Sequence, residues 1–327
     1  MPPHSTKEAV KRDAEHAPES TGGFARDVAV GLARAQKQLP CQYFYDARGS
    51  ELFEEITRLP EYYPTGVEIG ILRNCVSQLA RQLPGKPLVL VEFGSGSSLK
   101  TEILLEALPA IACYMPIDVS WSALEGAAAR LSQRFPHLAV RPVVADFTRP
   151  IAIPADIAHL ERLGFFPGST IGNFEPDDAI DLLAAIRVTL SPRGHLLIGA
   201  DLKKDLSVLL PAYDDAAGVT AAFNLNLLER INRELNGNFD LSRFRHQARY
   251  DHAKGRIEMH LESLCDQVVT VGNQRFRFTA GETIHTENSH KFTVEEFQKL
   301  SRRAGWQVLD VWTDPRQYFS EHHLTTS

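Results

Sequence analysis

The chain is poor in the features that mark a secreted protein, a membrane protein or a nucleic-acid binder. Its 327 residues include four cysteines, Cys41, Cys75, Cys113 and Cys265, and no two of them form a CxxC pair. That spacing supports neither a zinc site nor a disulfide framework; no metal is expected, and the reading is a cytoplasmic protein with reduced thiols. No run approaches the roughly 18 apolar residues of a membrane span. The stretch from Met1 to about Gly23 is polar, lacks the apolar segment of a signal peptide, and reads as a mobile tail from its Pro, Ser, Glu and Gly content. Positive charge is not in excess, since 35 Lys and Arg face 41 Asp and Glu for a net charge of −6. Phosphate contacts need a basic face, so neither nucleic acid nor membrane is expected as a partner.

What is present is an ordinary globular composition, 43% hydrophobic and 23% charged. It suffices to bury a core, and the length suggests two domains or one large domain with an insertion. Apolar spacing predicts a helix over Phe24 to Gln38, ended by Leu39-Pro40 because the residue before a proline avoids the helical region. CQYFYDARGSELFEEITRLPEYYPT follows, dense in aromatics and turn residues. From Glu68 to Gln82 apolar residues return at helical steps of three and four.

The middle of the chain alternates. Strands are expected at Pro87–Phe93, Cys113–Val119, Ala139–Ala145, Gly164–Ile171 and His195–Ala200. Helices are expected at Ser98–Leu108, Ser120–Phe135 and Asp177–Leu190, with a short polar helix before the fourth strand. This rhythm means a mostly parallel α/β sheet covered by helices on both faces. It breaks after 204. Asp205 to Leu235 reads as two helices around YDDAAG, with a C-terminal cap at Asn236-Gly237. Phe244 to Phe292 alternates with period two, as antiparallel strands do, with a hairpin turn at Gly272-Asn273. Thr293 and Glu296 form a capping box for a helix to Ala304, and Trp306–Trp312 reads as the last strand. An α/β core is therefore interrupted by an α+β insert at about 205–290.

Chemistry enters at the first βα turn, Glu92-Phe93-Gly94-Ser95-Gly96. Gly94 and Gly96 let the backbone approach a ligand at the carboxyl edge of the sheet. A dinucleotide fingerprint requires glycine at 99, where this chain has Leu99. The E-x-G-x-G form fits a nucleoside-binding methyltransferase, which has no pyrophosphate to cradle. The next strand ends in Asp118, 26 residues beyond Glu92, where a carboxylate accepts from a ribose diol. The third ends in Asp146-Phe147, an acceptor for an adenine amino group beside a ring that packs on the base. Acids in three successive βα turns point to S-adenosylmethionine.

The turn after the fourth strand, FFPGSTIGNF, lacks the Asp/Asn-Pro-Pro-aromatic motif usual in DNA amino-methyltransferases. GSTIGNF, together with FYDARGSELFEEITRLPEYYPT, AYDDAAGVTAAFN, RIEM and TENSHKF, resembles the histidine Nα-methyltransferases of ergothioneine biosynthesis, from about residue 24 to near the end. The resemblance implies three successive methyl transfers from S-adenosylmethionine to the α-amino group of L-histidine, giving hercynine. It implies a Rossmann-like class I methyltransferase sheet with a second, inserted α+β substrate domain. On that reading residues 1–23 are a tail and 24–70 join the substrate domain. The methyltransferase core is 71–204, the substrate insert is 205–290, and 291–327 return to the core. Carried over residue by residue, Tyr45, Gly94, Gly96, Lys100, Asp118, Asp146 and Phe147 contact the cofactor. Asn173 and Tyr213 hold the substrate carboxylate, Tyr62, Glu287 and Ser289 contact the imidazole, and Met259 lines the side-chain pocket. Gly168 and Thr170 fall near the amine. A monomer acting on a small molecule is expected.

The residues themselves agree at several points. Glu287 and Ser289 are two apart, so on a strand they share a face and can accept from and donate to two imidazole nitrogens. His285 and His290, five apart, should then lie on opposite faces, which argues against metal ligation. His322-His323 reads as an exposed tail. Three rivals are weaker. A relative acting on tryptophan would leave the Glu287 carboxylate unsatisfied beside an indole. A non-catalytic nucleoside-binding module need not keep Asn173, Tyr213, Glu287 and Ser289 together. An NAD oxidoreductase conflicts with Leu99.

Overall fold

The computed structural model describes residues 21–83, 85–95, 99–119 and 121–326. Most of the expected tail lies outside the described residues; Thr21, Gly22 and Gly23 instead open helix α1 (Thr21–Leu32). That helix stops before the position its apolar spacing suggests. Lys37 and Gln38 form strand β1 (Lys37–Gln38), which pairs in parallel with Ile284 and His285. The chain doubles back across Gly31, where a Cβ would stand 2.1 Å from the Gln38 carbonyl oxygen, so only glycine admits the return. Helix α2 (Ala47–Ile56) is capped by Asp46, which accepts from Gly49 N at 2.7 Å and also from Asn226 at 2.8 Å. Helix α3 (Tyr63–Gln82) begins at Tyr63 rather than Glu68, with Pro64 preset for its first turn.

The large sheet comes next, as strands β2 (Leu88–Phe93), β3 (Ile111–Asp118), β4 (Ala139–Val140), β5 (Val143–Val144), β6 (Glu161–Phe166) and β7 (His195–Asp201). Helices α4 (Leu99–Ala107), α5 (Trp121–Arg134) and α6 (Pro176–Leu190) connect them. β2 is buried along its whole length, as a parallel strand covered on both faces must be. The expected third strand is split, because Arg141-Pro142 interrupts it and proline has no N–H for the ladder. No helix precedes β6; that stretch is turns. β6 itself ends at Phe166, because Gly168 (φ 79°) and Ser169 (φ 56°) take left-handed conformations and a 3₁₀ turn, Thr170–Asn173, follows.

After β7 the chain leaves this sheet through α7 (Leu206–Leu209) and α8 (Val219–Leu235). Asn236 (φ 52°) takes the left-handed position at the end of α8, ahead of Gly237. Strands β8 (Phe244–Asp251), β9 (Arg256–Ser263), β10 (Gln267–Val271), β11 (Gln274–Phe278) and β12 (Thr283–His290) follow. They build a four-stranded sheet in the order β1-β12-β9-β8 and a separate β10-β11 hairpin. The N-terminal helices and the inserted segment share one hydrophobic core, with Phe44, Phe223, Leu227, Ile257 and Ile284 at its centre.

The return begins at α9 (Val294–Arg303), held by the expected Thr293–Glu296 capping box, and continues into β13 (Gln307–Thr313). β13 is not the last strand. β14 (Phe319–Thr325) slots between β13 and β7, antiparallel to both, in the eight-stranded sheet ordered β13-β14-β7-β6-β2-β3-β4 with β5 beside β3. His322 and His323 are therefore wholly buried rather than in an exposed tail. Their polarity disguised the strand, but His323 meets His195 at 2.9 Å and Gln82 at 2.7 Å, so its buried ring is satisfied within the protein. Among the described residues no helix is long and apolar enough to cross a membrane.

Candidate active site

The carboxyl edge of the large sheet gathers the first group of expected residues. Gly94 follows β2 with φ 73°, and a Cβ there would stand 3.7 Å from Cε1 of Phe147. Gly94 therefore lies against the Phe147 ring, and Phe166 packs edge-on to that ring at 5.7 Å. Asp118 ends β3, half-buried. Asp146 is exposed, and one of its oxygens is taken by the backbone and hydroxyl of Thr148, at 2.9 and 2.6 Å. Gly96 lies outside the described residues. Glu92 departs from its expected place at the binding edge. It is buried beneath the turn, accepts from Thr101 at 2.9 Å and from Tyr114, and burial pushes its carboxyl up to about 7. It braces the turn from within.

Lys100 opens α4 and pairs with Glu68 of α3, and the second Glu68 oxygen accepts from Gly168 N at 2.8 Å. One buried carboxylate thereby ties Lys100 to the turn after β6. The sequence reading missed Glu68, because a glutamate inside a helix carries no motif. Thr170 turns inward and donates to the Pro167 carbonyl at 3.1 Å.

The second group comes from the other side of the cleft. A bulge at Thr286 shifts the register of β12, so Ile284, Glu287 and Ser289 face the same way and pair with Leu261, Met259 and Ile257 of β9. The bulge also overturns the expectation for the histidines: His285 and His290 share the opposite face. There His260 and His285 stack at 4.9 Å beside Glu258, which is held by Arg256 at 2.6 Å.

Glu287 accepts from the Asn173 amide at 3.2 Å, a contact that joins the small sheet to the turn after β6. Gly172 makes the approach possible, since a Cβ there would come within 2.8 Å of the His290 carbonyl oxygen. Burial pushes the Glu287 carboxyl up to about 7, against the pull of Lys291 and Asn173. Tyr213 sits where Asp215 caps α8, accepting from Thr220 N at 2.7 Å and Val219 N at 2.9 Å. The Tyr213 hydroxyl lies 2.8 Å from Ser289 Oγ. An aromatic wall completes the cleft: Tyr62 meets Tyr213 at 6.4 Å and Phe53 at 6.2 Å, and Tyr45 meets Phe53 at 5.6 Å. Met259, the cross-strand partner of Glu287, is buried beside it on the same face.

Behind Tyr213 and Ser289 is a charged cluster absent from the sequence reading. Asp201, at the end of β7, pairs with Lys291 at 2.7 Å and with Lys204 at 2.6 Å, and Tyr63 donates to it at 2.7 Å. Burial opposes the Asp201 charge, but the two lysines overcome it and hold the carboxyl below its ordinary range. A signal existed: Glu287, Ser289 and Lys291 continue one period-two series within TENSHKF.

With this geometry in view, the comparisons decide the family. Residues 24–326 match the model of the histidine-specific, S-adenosylmethionine-dependent methyltransferases. The chain belongs to that family. It is 43% identical to the histidine N-alpha-methyltransferase of Mycolicibacterium smegmatis, over 89% of this chain and 91% of that one. Its identity to the histidine N-alpha-methyltransferase of Mycobacterium tuberculosis is 41%, over 92% and 95%. A more distant relative, 27% identical over 88% and 89%, is the 4-dimethylallyltryptophan N-methyltransferase of Aspergillus fumigatus. As a family member the protein uses S-adenosylmethionine as methyl donor.

Proposed function

We propose that the protein methylates the α-amino group of L-histidine three times, giving hercynine, the first step of ergothioneine biosynthesis. The observation that carries this reading is the meeting of Glu287 and Ser289 with Asn173 and Tyr213 in one cleft. A carboxyl and a hydroxyl suit an imidazole; an amide and a phenol suit a carboxylate. In this reading Tyr45, Gly94, Gly96, Lys100, Asp118, Asp146 and Phe147 hold the cofactor. Tyr62 and Met259 shape the ring pocket, and Gly168 and Thr170 border the amine. The N-terminal segment and the 205–290 insert act as the substrate domain. The protein works as a cytoplasmic monomer on a small molecule, consistent with its free thiols and its charge of −6.

Bound S-adenosylmethionine supplies an electrophilic methyl group on a sulfonium. The chain's own task is placement and proton management. Asn173 and Tyr213 fix the carboxylate, Glu287 and Ser289 fix the ring, and two such anchors leave the α-amine one orientation relative to the carboxyl edge of the sheet. Only the neutral amine attacks, so the nitrogen gives up one proton, to water or a nearby tyrosine, before each of the three transfers. The aromatic wall of Tyr45, Tyr62 and Tyr213 offers π faces to the cation that grows with each methyl.

The test is a panel of amino acids with labelled S-adenosylmethionine, scored by mass spectrometry. Histidine should accumulate three methyl groups on the α-nitrogen. Turnover of tryptophan without histidine would replace the substrate, and binding of the cofactor without turnover of any amino acid would reduce the protein to a nucleoside-binding module.

A further inference from the structure

The proposed chemistry gives no task to Lys291, a buried cation in contact with both Tyr213 and Ser289. Lys291 stands just beyond β12 with its side chain wholly buried. Its ammonium donates to Asp201 Oδ2 at 2.7 Å, to Ser289 Oγ at 2.7 Å and to the Tyr213 hydroxyl at 2.8 Å. Those three contacts use all of its protons.

Proton counting then limits what Tyr213 and Ser289 offer a ligand. The two oxygens are 2.8 Å apart, so one of their two hydroxyl protons lies between them. Each oxygen has already given a lone pair to Lys291. The pair therefore presents one donor and one acceptor to the cleft. A carboxylate only accepts, so if Tyr213 meets it, Tyr213 is the donor. Ser289 must then give its proton to Tyr213 and accept from the ligand, which reverses the donor role expected for it from the sequence.

Charge points the same way. Two lysines, Lys204 and Lys291, share the single Asp201 carboxylate, and all three side chains are buried. Counted alone the trio carries one surplus positive charge; Asp314 offsets it from the Lys204 side, while on the Lys291 side the nearest carboxyl, Glu287, is lifted toward neutrality, so a further anion beside Lys291 is favoured. A single substrate carboxylate on the far side of Tyr213 supplies that anion.

We propose that Lys291 is a positioning residue for the amino-acid substrate. Its ammonium, held by Asp201, charges the Tyr213–Ser289 pair so that Tyr213 donates to the substrate carboxylate and Ser289 accepts from a ring N–H. This rests on the reading of Tyr213 and Ser289 given above. It adds a reason for ring selectivity. An indole has one N–H and no second ring nitrogen, so it would leave either Ser289 or Glu287 without a partner.

Binding calorimetry with S-adenosylhomocysteine present tests this, using histidine and histidinamide, which lacks the carboxylate charge. Wild type should prefer histidine strongly. Lys291→Met leaves Asp201 paired with Lys204 and Tyr63. It should lose at least about tenfold of that preference while its affinity for S-adenosylhomocysteine stays within about twofold. Because Lys291 acts through Tyr213, the double variant with Tyr213→Phe should prefer histidine no less than Tyr213→Phe alone. If Lys291→Met does not fold, Lys291→Gln, which keeps a donor and removes the charge, carries the same comparison. A preference that survives in the Lys291 variant, or losses that add in the double variant, overturns this proposal alone. A wild-type protein that treats histidine and its amide alike overturns the reading of Tyr213 as well.

Discussion

Replacing Glu287 by glutamine should make the protein more stable and a worse binder at once. Glutamine keeps the shape and still accepts from Asn173, so the change isolates the charge. In the free protein burial lifts the Glu287 carboxyl from 4.5 to about 7. A carboxyl whose pKa rises on folding holds its proton more tightly in the folded state. Its contribution is full below about pH 4.5 and is lost as pH climbs through 7, where the buried group ionises. The rise corresponds to about 3 kcal/mol above pH 7. Glu287→Gln removes that penalty, which for a chain of this size raises the melting midpoint by about 5 °C at pH 8.5 and by almost nothing at pH 4.5. Histidine binding should move the other way, weakening about 10- to 100-fold through loss of a charge-assisted ring contact. Thermal melts across pH, paired with calorimetry of histidine in the presence of S-adenosylhomocysteine, read both effects. A variant no more stable at pH 8.5 than at pH 4.5 relative to wild type would refute the buried-charge argument. Unchanged histidine affinity would refute the ring contact.

Two further outcomes follow from particular side chains. Phe147→Ala should weaken S-adenosylhomocysteine binding about tenfold, the scale of one base stacked on an aromatic ring; calorimetry showing no loss would leave Phe147 as packing against Phe166 alone. His322, buried in β14, is held down to about 3 by burial, so it stays neutral when folded while the unfolded chain takes up a proton below about 6.5. Folding should therefore lose about 2 kcal/mol from this residue between pH 7 and pH 5, and His322→Leu should flatten the acid side of the stability profile; an unchanged slope in urea titrations would show that the ring does not carry it.

Much of this was legible in the sequence because the local and the global pattern agree. β2 is an unbroken apolar run that the fold buries on both faces, and the Thr293–Glu296 box starts a helix where its residues say one starts. The failures have physical causes. β14 reads FSEHHLT, and only tertiary contacts of His323 with His195 and Gln82, with Ser320 of the same strand bonding His322, make such a strand tolerable in a sheet interior. α1 was overextended because nothing local shows that Gly31 lets the chain fold back onto β12. The bulge at Thr286 exchanges the faces of His285 and the residues after it, and a one-residue slip is invisible to period-two counting. Glu68 and Asp201 escaped because Lys100, Gly168, Lys291 and Tyr63 reach them from more than 30 residues away, and Lys204 because its pairing with Asp201 three residues back follows no motif.

The inserted segment leaves the large sheet at Asp201 and returns at Phe292, and the two crossings lie side by side. Phe292 N donates to the Asp201 carbonyl at 3.0 Å, and Lys203 N to the Phe292 carbonyl at 2.8 Å. The Asp201–Lys291 ion pair sits at this same root. Strand β12 therefore emerges from a junction fixed by backbone bonds and by charge, and Ser289 and Glu287 are only two and four residues from Lys291. Their placement over the 3₁₀ turn that carries Asn173 follows from the junction more than from the distant hairpin of the insert. A fold that grips its substrate from two sheets has to set their relative position somewhere, and here it does so within a few residues of the groups that would touch the ligand. The buried polar cluster at the root would then serve two ends: it locks the insert to the core, and it would set the Lys291 charge behind Tyr213 and Ser289.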